Sequence, residues 1–276
     1  MTELPCILPP VILSIVIITR NEEANLTRTL ESVKPLVADG KGEIIVVDSG
    51  STDRTVEIAK SFGARVFNEE WKGYAAQKNS AIDKATEDWI LSLDADEELS
   101  KQLVDQISGT LTKQQRGKGT QGSPGGASGY WCARKNFFLR RWIKHGGFWP
   151  DPKLRLFRRG AGRFEERAVH EDVHLEGPTE KLNGALIHHS YPTLSEYIDH
   201  MNRYSSLGAE MVVEKGTVGF SVINIVLRPT ATFLYNYFFR LGLLDGREGL
   251  LLHFYHAIYV SWKYAKAWEL SAHKRP

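Results

Sequence analysis

Three aliphatic runs in the first hundred residues each stop on a polar cluster, and this pattern limits the chain to few folds. Ile12 to Ile18 ends on Thr19-Arg20-Asn21-Glu22, Glu43 to Asp48 runs into Ser49-Gly50-Ser51-Thr52-Asp53, and Trp89 to Leu93 ends on Asp94-Ala95-Asp96. A nearly continuous aliphatic run is what a strand buried on both faces of a parallel sheet requires. Between the runs the apolar period changes to that of helices. Leu26, Leu30 and Val33 fall at i, i+4 and i+7 behind a capping Asn25, and Val56, Ile58 and Phe62 follow Thr52 or Asp53. Ala64 to Phe67 reads as a short strand, Tyr74 to Ala85 as a helix, and Glu97 to Ile107 as a helix after the fourth strand. This rhythm predicts an α/β fold with a doubly wound, mostly parallel sheet. Ligands of such sheets bind beyond the carboxyl ends of the strands, so the three polar clusters are expected to converge.

Beyond this half the signals weaken. Thr110 to Ser128 is rich in Gly, Ser and Gln and reads as a loop, Gly129 to His189 reads as short strands, and helices resume at Ser195. The apolar stretch Ile7 to Ile18 lacks a basic leader and reads as a strand rather than a signal sequence. Val218 to Phe239 is broken by Arg228-Pro229. From Leu250 to Trp268, Leu251, Phe254, Ile258, Trp262 and Ala265 share one helical face, with His253, His256, Lys263 and Lys266 gathered on another. Such a helix lies in a membrane interface or packs on the protein's own core, and the pattern leaves both open.

Charge is unevenly spread. The net charge of +2 excludes a uniformly basic nucleic-acid binder, yet residues 1–100 carry 10 basic and 18 acidic residues, and residues 131–167 carry 11 basic and 3 acidic. Two cysteines, Cys6 and Cys132, exclude a disulfide framework and point to a reducing compartment.

Several motifs carry chemistry. Asp94-Ala95-Asp96 at a strand end offers the oxygen pair that hard divalent cations take, although capping chemistry explains it equally. Asp48 to Asp53 suits a nucleoside through base or ribose, or a plain strand-to-helix connection. Neither G-x-G-x-x-G nor G-x-x-x-x-G-K-[ST] occurs in this segment. His170-Glu171-Asp172-Val173-His174 matches the zinc-protease signature H-E-x-x-H, but its surroundings read as strand and turn, and the acidic pair Glu171-Asp172 suits a general base. Lys153, Arg155 and Arg158 alternate with Leu154, Leu156 and Phe157, which on a strand aligns cations for phosphate contact. His188 and His189 read as core or turn residues, with metal ligation the lesser alternative.

Taken in series, SIVIITRNEEANLTRTLESV, EIIVVDSGSTDRTVEIA, GYAAQKNSAI and DWILSLDADEEL resemble the family 2 glycosyltransferases of GT-A fold. WPDPKLRLFRR, AVHEDV, ALIHHSY and the tail FLYNYFFRLGLLDGREGLLL are similar to one branch, the bacterial lipopolysaccharide inner-core β-1,4-glucosyltransferases. The resemblance implies a GT-A domain over residues 1–190, Rossmann-like with flanking helices. Its nucleotide-binding part lies at about 12–108 and its acceptor part at about 129–190. Residues 191–276 become a region of amphipathic, membrane-associating helices. It implies a UDP-sugar pocket lined by Thr19, Asn21, Glu22, Asp48, Ser51, Lys78 and Asp94. Mg²⁺ or Mn²⁺ is held by Asp96, with Asp94 on ribose or metal, and Glu171 is the base with Asp172 as competitor. The implied acceptor is a lipopolysaccharide core sugar or another lipid-linked acceptor, touched by Lys153, Arg155 and Arg158. The implied location is peripheral, at the cytoplasmic face of the inner membrane.

Overall fold

The computed structural model describes residues 13–117, 126–165, 172–216 and 218–273. Cys6, His170 and Glu171 lie outside the described residues, as does the middle of the Gly-rich stretch. The chain divides into two compact units. One is Met1–Arg134, Pro152–Glu166 and Glu171–Ile187; the other is Lys135–Asp151, Arg167–His170 and His188–Pro276.

In the first unit, β1 (Leu13–Thr19), α1 (Leu26–Val37), β2 (Gly42–Asp48), α2 (Thr55–Ser61), β3 (Arg65–Asn68), α3 (Tyr74–Asp83) and β4 (Trp89–Asp94) follow one another as the periodicity requires. β1 pairs in parallel with both β2 and β4, and β2 with β3. Alternation along the strands explains the two helical layers. Leu13, Ile15 and Ile17 pack with Leu26, Leu30 and Val33 of α1, whereas Val16 packs with Ala75, Ala81 and Ile82 of α3. β2 divides in the same way, Ile44 and Val46 to one side and Ile45 and Val47 to the other. Each fully buried Ile, Leu or Val contributes about 1.5–3 kcal/mol, so this double-sided core fixes the strand register.

The helix expected from Glu97 is preceded by a strand. Glu97–Leu99 forms β5, and α4 then spans Lys101–Gly117, reaching into the stretch read as a loop. Glu97 is buried, and its carboxylate accepts the Asp94 amide, so the segment extends into the sheet before turning helical. The sheet continues with β6 (Gly129–Phe138), β8 (Asp151–Arg158) and β11 (Thr179–Tyr191), in the order β3-β2-β1-β4-β8-β6-β11-β5, and β8 runs antiparallel to β4. β9 (Gly162–Phe164) and β10 (Val173–Leu175) form a separate antiparallel pair. This is the mixed, mostly parallel GT-A sheet with flanking helices. Cys132 is core, and burial pushes its thiol up to about 12.

In the second unit β7 (Arg141–Trp142) folds back on the end of β6. α5 (Leu194–Glu214) starts with a capping box between Thr193 and Glu196. A run of π-turn, α6 (Arg228–Leu234) and π-turn covers residues 223–239, and α7 (Gly246–His273) closes the chain. The polar face of α7 turns inward: Lys266 Nζ donates to Asn202 O, Ser205 Oγ and Ser206 Oγ of α5 at 2.8–2.9 Å, and His253 is buried. Residues 222–239 expose apolar side chains instead: Ile223 is 64% and Phe239 79% exposed, and Val222, Val226, Leu227, Leu234, Tyr235 and Phe238 are exposed as well. Among the described residues no helix is long and apolar enough to cross a membrane.

Candidate active site

Register brings the three polar clusters together. Thr19 lies opposite Asp48 and Ile18 opposite Asp94, so all three strands end at one edge. The β1 and β2 loops are then locked to each other. Asp48, 1% exposed, accepts Thr19 Oγ1–H at 2.9 Å and Ser51 Oγ–H on one oxygen, and the amides of Gly50 and Ser51 at 3.0 and 2.8 Å on the other. Gly50, at φ 79°, provides the backbone that aims these amides. Asn21, at φ 55°, donates its amide to Ser51 Oγ at 2.8 Å and accepts from the Thr52 amide at 2.8 Å. The amides of Glu22 and Glu23 donate to Thr55 Oγ1 and Asp53 Oδ2 at 2.7 and 3.1 Å. Asn and Gly tolerate the left-handed region, which is why these types recur here. The result is a preformed pair of loops, with Asp48 saturated by internal bonds.

Behind Asp94 lies a buried ion cluster drawn from five elements. Asp94 Oδ1 is 2.8 Å from Lys78 Nζ and its Oδ2 is 2.7 Å from Arg155 Nη2. The same Arg155 nitrogen is 2.6 Å from Glu97 Oε1, which also lies 3.3 Å from Arg134 Nη1, and Glu97 Oε2 accepts the Asp94 amide at 3.1 Å. Lys78 and Arg155 are 6% and 4% exposed. Burial alone would raise the Asp94 pKa, but Arg155 and Lys78 overcome it and hold the carboxyl well below the usual carboxylate range. Arg155 is therefore an internal counter-ion rather than an exposed phosphate contact. β8 is buried on both sides from Leu154 to Phe157, so its alternation does not bring that cation to the surface. Arg158 stacks over Trp89 at 4.8 Å and donates to Gln114 at 3.0 Å, while Lys153 is half-buried. Lys78 also lies 5.1 Å over the Phe164 ring and points inward.

Asp96 sits in the turn after β4. Burial pushes the Glu22 carboxyl up, and Asp96, Asp53 and Asp94 add repulsion, so negative potential accumulates where the three loops meet. Among the described residues no three His, Cys, Asp or Glu side chains form a ready-made metal group. With both Asp94 oxygens on cations, the protein donor set reduces to Asp96 with Glu22 nearby. That set fits a hard cation completed by phosphate and water oxygens, the habit of Mg²⁺-type sites.

Asp172 is exposed, and its carbonyl accepts the Glu165 amide at 3.1 Å. His174 lies in strand β10, not on the helix an H-E-x-x-H zinc site requires. His188 Nδ1 is 2.8 Å from Asn136 Oδ1 and His189 stacks on Phe137 at 5.5 Å, so both have structural partners. Sequence reasoning missed Glu97 and Arg134. The signal was present in a carboxylate directly after Asp94-Ala95-Asp96 on an otherwise apolar, buried face.

A mixed sheet whose parallel strands end in two interlocked polar loops and an Asp-x-Asp turn is that of a GT-A-type glycosyltransferase. The chain belongs to glycosyl transferase family 2, whose family model matches residues 14–161. It is 31% identical over 97% of its length, and 96% of the relative's, to the lipopolysaccharide core biosynthesis glycosyltransferase LpsC of Rhizobium meliloti. It is also 31% identical to an uncharacterized glycosyltransferase of Rickettsia typhi, over 95% of this chain and 89% of that one. The fold is similar to that of a mannosyltransferase from Pyrobaculum calidifontis solved with GDP-Man and Mn²⁺. The TM-score is 0.54 and the identity 15%, over 92% of this chain and 86% of that one.

Proposed function

We propose that the protein is an inverting hexosyltransferase that moves a hexose, glucose in the first instance, from a UDP-sugar to a phosphate-bearing lipopolysaccharide inner-core sugar, a heptose. The observation that carries this reading is the full-length similarity to a lipopolysaccharide core glycosyltransferase, joined to the preformed loop pair of the first unit. The locked β1 and β2 loops receive the nucleoside through their backbone groups, and the saturated Asp48 keeps their shape. Asp96 would hold a divalent ion, whose charge would neutralise the diphosphate leaving group. Glu171, with Asp172 as the alternative, takes the proton of the acceptor hydroxyl. The acceptor oxygen bonds to the anomeric carbon as the bond to the diphosphate oxygen breaks, the electron pair leaving with UDP. One displacement inverts that carbon.

The outward apolar run of the second unit rests on one leaflet of the cytoplasmic membrane surface. So many exposed apolar side chains in one run are unusual on a soluble globule, and the exposed Arg228 and Arg240 in and beside it carry charge suited to anionic lipid. The test is UDP release over a panel of UDP-sugars and GDP-mannose, with and without Mn²⁺, offering deacylated core oligosaccharide or polyprenyl phosphate. Release that needs a UDP-hexose, the metal and the core acceptor supports the reading. Preference for polyprenyl phosphate or for GDP-mannose overturns it.

A further inference from the structure

The second unit carries an aromatic and cationic face that the transfer chemistry leaves unused. Strands β6 and β7 form a hairpin through Leu139 and Arg140, both in the left-handed region at φ 49° and 66°, with Phe137 opposite Trp142. The Ile143 amide donates to Asn136 O at 3.0 Å, which carries the pairing one residue further. Lys135 and Lys144 are thereby brought opposite each other, on the same face as Phe137 and Trp142. The other face is fixed, because Phe138 and Ile143 are buried in the core of this unit. The Lys/Trp face therefore has no freedom to turn inward.

Two features of this face need a reason. Like charges directly opposite on neighbouring strands repel, yet both ammonium groups lie on one indole, Lys135 Nζ at 4.5 Å and Lys144 Nζ at 4.6 Å from the Trp142 ring centre. Among the described residues neither ammonium has a carboxylate within ion-pair distance. Asp245 instead accepts the backbone amides of Lys144 and His145 at 3.2 and 2.8 Å. It pins the strand and leaves the ammonium unneutralised. Trp149 braces Trp142 edge-on at 5.3 Å, and among the described residues Trp142 Nε1–H has no acceptor, so packing and the two cations hold the indole.

We propose that Lys135, Trp142 and Lys144 form a subsite for a phosphorylated sugar of the acceptor. Trp142 holds the two ammonium groups beside each other, and the phosphate of the sugar is taken between them. A phosphate dianion converts the repulsion between the lysines into two attractions, and Lys supplies the compact point charges this needs. This deepens the reading of a phosphate-bearing glycan acceptor and rests on it. The residues differ from the cations picked out by the charge pattern of β8.

The experiment compares the full-length enzyme with Lys135→Gln/Lys144→Gln on phosphorylated deacylated core oligosaccharide and on the same glycan after phosphatase treatment. For the wild type, dephosphorylation is expected to raise the acceptor KM about 10- to 100-fold. The double variant is expected to show the same rise on the phosphorylated glycan and no further rise on the dephosphorylated one, because each change removes the same interaction. Acceptor-free UDP-sugar hydrolysis stays unchanged, and Lys135→Arg/Lys144→Arg restores the KM. A dephosphorylation effect that persists in full in the double variant overturns the proposal. So does a variant whose only loss is binding to anionic phospholipid vesicles, which would assign the lysines to membrane. If no core glycan is glycosylated at all, the acceptor reading fails. Calorimetric binding of the two glycans still judges the subsite, which is overturned if the wild type binds both equally.

Discussion

Arg155 Nη2 lies 2.7 Å from Asp94 Oδ2, and this pair joins the sheet interior to the edge where the loops meet. Among the described residues, removing Arg155 leaves Asp94 with Lys78 as its ion-pair partner and Glu97 with the more distant Arg134. Breaking one partner of a buried ion pair costs about 3–5 kcal/mol, because the remaining charge is left in a poorly solvating interior. Arg155→Gln is expected to lower the unfolding free energy measured in urea by that much and to abolish donor binding. Arg155→Lys, which keeps the charge but loses the fork shared by Asp94 and Glu97, falls between the two. The pH dependence has a definite sign. Asp94 has a depressed folded pKa, so its contribution is complete above the unfolded value of about 3.9 and is lost as pH falls through the folded one. Asp94→Asn should flatten the acid limb of the stability curve. A variant with an unchanged acid limb would contradict the assignment.

Glu22 has the opposite sign. Its folded pKa is raised by burial and by Asp96, Asp53 and Asp94, so its contribution is present below the unfolded value of about 4.3 and is lost as pH rises through the folded one. Glu22→Gln is expected to raise the thermal midpoint at neutral pH by a few degrees and to give no gain at pH 4. The same change should weaken Mn²⁺-dependent UDP binding several-fold, since it removes part of the negative potential beside Asp96. Titration calorimetry of UDP with Mn²⁺ and thermal scans at the two pH values check both halves. A fall in the midpoint at neutral pH would refute the argument.

Strands β1, β2 and β4 and their convergence were legible because full burial on two faces leaves mostly aliphatic residues, and each run ends where the register ends. Arg155 was not legible for a related reason. Period-2 alternation assigns faces, but both faces of β8 are covered between Leu154 and Phe157, so a cation there must find internal partners. Asp48 offers a second case. Its strand-end position was readable, but the four bonds that saturate it depend on the conformation of Gly50 and Ser51. For α7 the sequence left two orientations open. The wheel separated the polar from the apolar side chains, but only the α5 partners Asn202, Ser205 and Ser206 reveal that Lys266 faces inward.

The outward apolar run gives a prediction about partitioning. Ile223 and Phe239 are exposed, so Ile223→Asp and Phe239→Asp should leave the thermal midpoint nearly unchanged. Each side chain buried in a lipid interface contributes about 1.5–3 kcal/mol, and 1.4 kcal/mol is a factor of ten. The double variant is expected to lose at least about tenfold in co-sedimentation with anionic vesicles. Equal sedimentation of variant and wild type would remove the membrane from the proposed function.

The base assignment separates two neighbouring carboxylates. Asp172 is exposed, and its carbonyl fixes the chain at Glu165, so it is tied to the β9–β10 pair through its backbone. Glu171 precedes that anchor and is the residue proposed to take the proton. A general base contributes about 10²–10⁴-fold. Glu171→Gln is therefore expected to lower kcat by at least two orders of magnitude while leaving the UDP-sugar affinity near the wild-type value. Asp172→Asn should change kcat less than tenfold. Turnover measured at saturating donor, with donor binding measured separately by calorimetry, distinguishes loss of chemistry from loss of binding. The reverse pattern, an active Glu171→Gln and an inactive Asp172→Asn, would transfer the role to Asp172, whose anchored backbone would then be the means of holding the base in place.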